Sequence, residues 1–318
     1  MTELTCCICG DPIGPEPKRI GGRTYCDRHF TRVTAHHRGI WQTGVVQIIA
    51  LILFVVLVEV IVSSVQIALT ATGLVIAGLV LALIPALIWL AFFYAQDRLE
   101  PEPKGYVLGV FLLGGLLASA VGIPVLRDLF HTNDWLGSST LTGVLGSLLV
   151  VGVTQEFLKY AAVRYSIFRS SEFDERVDGI VYGTAAGLGY ATLLNIQFII
   201  DSNGADLRAA VIRIVITTLA QASFSGISGY FLARAKFEDE PVWWLPSGVA
   251  LAAILNGLFT FVRGEISTTR LSLAGGGFSP WPGLILAAAV AIVILGLLAY
   301  LIRRANRITL SGVDAGRA

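Results

Sequence analysis

Eight apolar runs, each long enough to cross the hydrocarbon core of a bilayer, constrain this chain more than any other feature. They cover approximately residues 45–69, 73–96, 105–126, 141–163, 177–200, 210–233, 242–262 and 281–302, and a spanning helix needs about 20 predominantly apolar residues. Only 14% of the chain is charged and 55% is hydrophobic, where an ordinary soluble domain carries roughly a quarter charged residues. A water-soluble globule is thereby excluded. The 34 glycines beside a single methionine suit helices whose backbones approach closely in lipid. The expected fold class is an all-α polytopic membrane protein of about eight transmembrane helices, plus a small zinc-stapled cytoplasmic head. Residues 1–39 form that head, 40–308 the transmembrane domain and 309–318 a short polar cytoplasmic tail. The first apolar run follows a Cys-bearing segment instead of a short basic region, so it does not read as a cleavable signal.

Basic residues orient the spans, because Lys and Arg concentrate on the cytoplasmic side. With a cytoplasmic N-terminus, 17 of the 23 Lys and Arg fall on that side. They include Lys18 to Arg38 in the head, Arg98, Lys104, Arg164, Arg169, Arg176, Arg234, Lys236 and the basic tail. Arg127, Arg208, Arg213, Arg263 and Arg270 face the other way, and Lys159 lies inside span four. Both termini are expected in the cytoplasm. Most tryptophans, Trp41, Trp135, Trp243, Trp244 and Trp281, lie near span ends, as an interfacial belt requires. A net charge of +1 gives no bulk attraction to nucleic acid.

All four cysteines precede residue 27. Cys6, Cys9, Cys26 and His29 read C-x2-C-x16-C-x2-H, two close pairs suited to tetrahedral zinc, with an interval long enough for a hairpin turning at Gly21-Gly22. The pattern resembles small treble-clef, LIM-half or B-box-like modules. Disulfides do not suit a reducing compartment, and so short a head needs a staple to fold. Cys7 is a spare thiol, and His36 and His37 are substitutes for His29. Four closed ligands make this metal structural.

The charges and amides within the spans are few. Glu59 lies in span one, where a buried charge could pair with Lys159 or line a cavity, and Glu156 and Lys159 are three apart in span four, so they share a helix face. No histidine lies in any span, since the four are His29, His36, His37 and His131. An imidazole-ligated metal at membrane depth cannot be built from this sequence. Gly183 with Gly187, and Gly105 with Gly109, have the G-x-x-x-G spacing of close helix contacts. The acidic strings Arg98-Leu-Glu-Pro-Glu-Pro and Phe237-Glu-Asp-Glu-Pro read as solvated loops that begin helices, and the glycine-rich Gly275-Gly-Gly277 marks a flexible outer loop.

A set of strings resembles the PrsW family of intramembrane metalloproteases. These are Asp97-Arg-Leu-Glu-Pro-Glu-Pro-Lys104, Gln155-Glu156-Phe-Leu-Lys159, Glu172-Phe-Asp-Glu-Arg-Val-Asp-Gly-Ile-Val-Tyr-Gly183, Gly187-Leu-Gly-Tyr190 with Leu194-Asn195, Gln221-Ala-Ser-Phe-Ser-Gly226 and Asn256-Gly-Leu-Phe-Thr260. The resemblance implies catalytic positions of which Glu156 and Lys159 are retained. It also implies a Glu where Gln155 stands, a Glu at Leu194, histidines at Gln221 and Asn256, and an Asp at Thr260. Amides are poor zinc ligands and do not titrate near neutral pH, so no intramembrane metal is expected. Gln155, Asn195, Gln221 and Asn256 must bond to something in lipid. They are expected to converge as an amide network between helices, or as a polar cavity that recognises a transmembrane segment or headgroup. The expectation is a catalytically degenerate homologue that binds or regulates transmembrane clients among membrane lipids, with a protein partner at the head. Its rivals are an active protease using Glu156 with an unorthodox site, and a transporter or channel using the buried charges.

Overall fold

The computed structural model describes residues 4–14, 17–20, 23–34, 40–64, 70–97, 102–203, 207–268, 289, 292–293 and 295–307. Among these, seven helices are long and apolar enough to span a membrane: Gly44–Val62, Ala71–Tyr94, Lys104–Leu129, Thr140–Ser166, Asp178–Asp201, Ala210–Phe237 and Trp244–Gly264, here called the first to seventh spans. Each begins and ends within a few residues of the sequence-derived run, apart from the end of the first. The eighth run lies partly outside the described residues, which are helical over 295–307. Gly21-Gly22, His36, His37, Arg98, the loop around Gly275-Gly-Gly277 and the 309–318 tail also lie outside them.

The fifth and sixth spans form the centre of the bundle. Of the residues in their most apolar windows, 67% and 83% are buried, against 17% for the first span, which packs on one side of the second and sixth. The fifth span can be central because small residues let neighbours touch its backbone. A Cβ on Gly189 would come within 1.8 Å of the Phe111 carbonyl of the third span, and one on Gly229 of the sixth within 1.9 Å of the Gly179 carbonyl. The expected contact at Gly183 and Gly187 is present, against the sixth-span backbone at Ser225 and Gln221. Gly105 and Gly109, by contrast, face open space, and Gly114 and Gly115 make the third span's close approach to the fifth. The G-x-x-x-G spacing there marks the wrong face, because helix rotation is fixed by the whole interface.

Two spans contain π-helical turns, at Ala118–Gly122 and Val125–Leu129 in the third and at Ser147–Gly152 in the fourth. Such turns are rare and cluster at functional sites. The one at Ser147–Gly152 immediately precedes the helical turn that carries Gln155 and Glu156. Next to it, a Cβ on Gly152 would lie 2.2 Å from the Ala253 carbonyl, and one on Gly257 2.5 Å from the Ser147 carbonyl. The fourth and seventh spans therefore touch backbone to backbone one turn from Glu156 and Asn256.

The N-terminal head is small. Strands Lys18–Ile20 and Arg23–Tyr25 pair antiparallel, and helix Asp27–Thr34 follows. Tyr25 is its buried apolar side chain, and Gly10 takes a positive φ of 71° beside Cys9, a turn conformation that favours glycine.

Candidate functional site

Near the middle of the fourth, sixth and seventh spans, five side chains meet in the bundle interior. Glu156 and Lys159 have fully buried side chains and form an ion pair across one helical turn. The Lys159 ammonium also donates to Gln221 Oε1 at 2.5 Å. Asn256 Nδ2 donates to Glu156 Oε1 at 2.8 Å and to Gln155 Oε1 at 3.0 Å. Gln221 Nε2 donates to Asn256 Oδ1 at 3.1 Å and to Gln155 Oε1 at 3.2 Å. Ser225 Oγ approaches Glu156 Oε2 at 3.5 Å, and the Tyr190 ring stands 5.5 Å from the Lys159 ammonium. The result is a closed network in which donors and acceptors answer one another.

This arrangement decides what the cluster can hold. Zinc sites draw on thiolate, imidazole and carboxylate donors with an open position for water. Here there is one carboxylate, and its Oε1 is engaged by both Lys159 and Asn256. Three amides complete the set, and amides are poor zinc ligands. The donor set does not fit a catalytic metal.

Of the positions singled out in the sequence, Gln155, Glu156, Lys159, Gln221 and Asn256 converge. Thr260 sits at the margin, donating to Asn256 Oδ1 at 3.4 Å. Asn195 does not join them: buried in the fifth span, it donates to Thr218 Oγ1 at 3.0 Å, which in turn donates to the Ile214 carbonyl. Leu194 is half-buried beside it. Glu59 is exposed on the first span, outside the bundle interior, and Lys159 is engaged by Glu156 and Gln221. Sequence reasoning missed Ser225, although it lies four residues after Gln221 and therefore on the same face.

Of the first acidic string only Glu102 and Pro103 are described, and the second is half-buried with Asp239 exposed. Asp97 and Glu102 are buried, and Tyr182 donates to Glu102 Oε2 at 2.6 Å. Glu238 takes hydrogen bonds from Arg176 at 3.0 Å and Arg234 at 2.6 Å. Burial alone would raise the Glu238 carboxyl, but these two guanidinium groups outweigh it and hold it below the ordinary glutamate value.

In the head, Cys6, Cys9, Cys26 and His29 bring one ligand atom each within 4.8 Å of all the others. Cys9 Sγ lies 3.9 Å from Cys26 Sγ, and His29 Nδ1 lies 3.6 Å from Cys6 Sγ and 3.2 Å from Cys26 Sγ. Tetrahedral ligands about 2.3 Å from one ion would stand roughly 3.8 Å apart. Burial would raise the Cys6 thiol, but backbone amides of Cys26, Cys9 and Ile8 draw it down to about 6. The Cys9 thiol goes the other way: the Asp11 amide would lower it, but its side-chain contacts to Asp11, Cys6 and Cys26 outweigh that amide and push it up to about 12. Cys7 stays outside the cluster.

Comparison with known proteins gives one consistent result. A family model described as PrsW family intramembrane metalloprotease matches residues 102–295. The chain is 30% identical over 185 residues to Protease PrsW of Bacillus subtilis (strain 168), covering 58% of this chain and 81% of that protein. It is 31% identical over 186 residues to Protease PrsW of Clostridioides difficile (strain 630), covering 57% and 77%. With Protease PrsW of Oceanobacillus iheyensis it shares 27% over 227 residues, covering 71% and 94%. No solved structure gives a significant match.

Proposed function

The chain belongs to the PrsW family of intramembrane metalloproteases, and from that premise we propose that this member has given up proteolytic chemistry and works as a membrane-embedded binding protein. In this reading it is a regulator, adaptor or chaperone of transmembrane clients, using the family's fold among membrane lipids. The observation that carries it is the set of amides: Gln155, Gln221 and Asn256, standing where the family pattern has a carboxylate and two imidazoles, bond to one another and to Glu156, and amides neither ligate a Lewis-acid metal well nor titrate near neutral pH. The family metal therefore has no fitting ligand set in this chain.

The head contributes a structural zinc on Cys6, Cys9, Cys26 and His29, leaving its outer surface for a protein partner. Its spacing and ligand types favour zinc over harder ions. Both termini lie in the cytoplasm, as the Lys and Arg distribution indicates.

A second reading is an active protease in which Glu156 serves an unorthodox site; the names of the relatives favour it. Coexpression of the full chain with a membrane-anchored reporter separates the two. The binding reading expects an intact reporter with the wild type and with Glu156→Gln alike. Cleavage by the wild type that is lost in Glu156→Gln would overturn it and establish the second.

A further inference from the structure

A second cluster of buried acids lies at the ends of the spans, on segments that meet only in the fold. Asp97 follows the second span, Asp178 opens the fifth, and Glu175 precedes it by three residues. One carboxylate oxygen from each lies within 4.8 Å of the other two. Asp97, Glu175 and Asp178 are 3%, 8% and 0% exposed, respectively. Their carboxylates are held in place by neighbouring groups. The Glu102 amide donates to Asp97 Oδ2 at 2.8 Å, and the amides of Asp174 and Glu175 donate to Asp178 Oδ2 at 2.7 and 2.5 Å.

Fixing Asp178 Oδ2 in this way leaves Oδ1 as the oxygen with no assigned task. It is fully buried and accepts no hydrogen bond, and Asp178 forms no ion pair among the described residues. A buried carboxylate oxygen without a donor is costly unless something positive meets it. Lys236, on the sixth span, spends its ammonium on the carbonyls of Phe168 and Phe173 at 2.7 and 2.5 Å. Glu102 adds further negative charge beside the cluster, with its own Oε2 taken by Tyr182.

We propose that Asp97, Glu175 and Asp178 bind a hard divalent cation. A site made only of carboxylate oxygens selects ions of the Ca2+, Mg2+ and Mn2+ class over zinc. Three oxygens each within 4.8 Å of the others lie close enough to meet on one such ion. A cation here ties the segment after the second span to the start of the fifth, which is the centre of the bundle. It is independent of the intramembrane cluster, whose one carboxylate is neutralised by lysine, and of the head, whose ligands are thiolates and imidazole.

The test uses the full chain, zinc-loaded and detergent-solubilised, titrated with Mn2+ and followed by the free-ion electron paramagnetic resonance signal. The expected result is saturable binding of about one Mn2+ per chain, displaced by Ca2+ or Mg2+. Asp178→Asn and Glu175→Gln should each weaken it at least tenfold, roughly the loss that follows from disturbing metal ligation. The unfolding temperature of the wild type should rise with Ca2+ and that of the variants should not. Absence of saturable Mn2+ binding by the wild type overturns the proposal, whether or not a variant folds. So does binding that both variants leave unchanged, or that only zinc displaces.

Discussion

Replacing Lys159 by methionine leaves Glu156 buried without its counter-ion, and the structure sets how much that should cost. Both side chains are fully buried, so neither charge can recover its hydration when the other is removed. Breaking a buried pair from one side costs roughly 3–5 kcal/mol. Glu156→Gln alone, which strands the Lys159 ammonium, should cost a similar amount by the same reasoning. The double variant Glu156→Gln/Lys159→Met strands no charge. It keeps an amide oxygen for Asn256 and loses the Lys159–Gln221 bond, and an interhelical bond in membrane proteins contributes about 0.6 and at most about 1.7 kcal/mol. The double variant should therefore be more stable than either single one. Reversible unfolding of the full chain in mixed detergent micelles, followed by tryptophan fluorescence, measures the cycle. If the two single costs sum to the double cost within about 0.5 kcal/mol, the residues are not coupled, and the closed network around Glu156 is wrong.

Two further outcomes follow from particular contacts. Gly189→Ala drives a Cβ onto the Phe111 carbonyl at 1.8 Å, whereas Gly105→Ala meets nothing within 4 Å; the first should destabilise by about 1–3 kcal/mol or more and the second by under about 0.5 kcal/mol, in the same assay. Glu238 is held ionised by Arg176 and Arg234, with its folded pKa below the unfolded glutamate value. Its contribution is fully present above about pH 4.3 and is lost as pH falls through the lower folded value. Glu238→Gln should thus destabilise at neutral pH, and its difference from the wild type should vanish on acidification.

The spans were legible because hydrophobic length alone defines them: the run at 141–163 became a helix at Thr140–Ser166. The convergence of Gln155, Gln221 and Asn256 was legible too, since amides in lipid need partners and these lie on spans that pack together. What could not be read was helix rotation. The first span has almost no polar face, so nothing in its sequence says where Glu59 points. Asn195 turned to Thr218 because close contacts along Gly179 and Gly183 set the angle of the fifth span against the sixth. The widened turn at Ser147–Gly152 shifts the register ahead of Glu156 and has no sequence signature. Asp97 and Glu102 look like loop charges in any hydropathy window; their burial arises only when residues 173–182 fold against them.

Metal content of the full chain tests the central claim most directly. Purified wild-type protein should carry about one zinc per chain, on the closed four-ligand set of the head. The full-length Cys26→Ser/His29→Ala variant should carry none, while Glu156→Gln keeps it. Zinc that persists in the head variant and disappears with Glu156→Gln would place a metal at Glu156 and contradict the account.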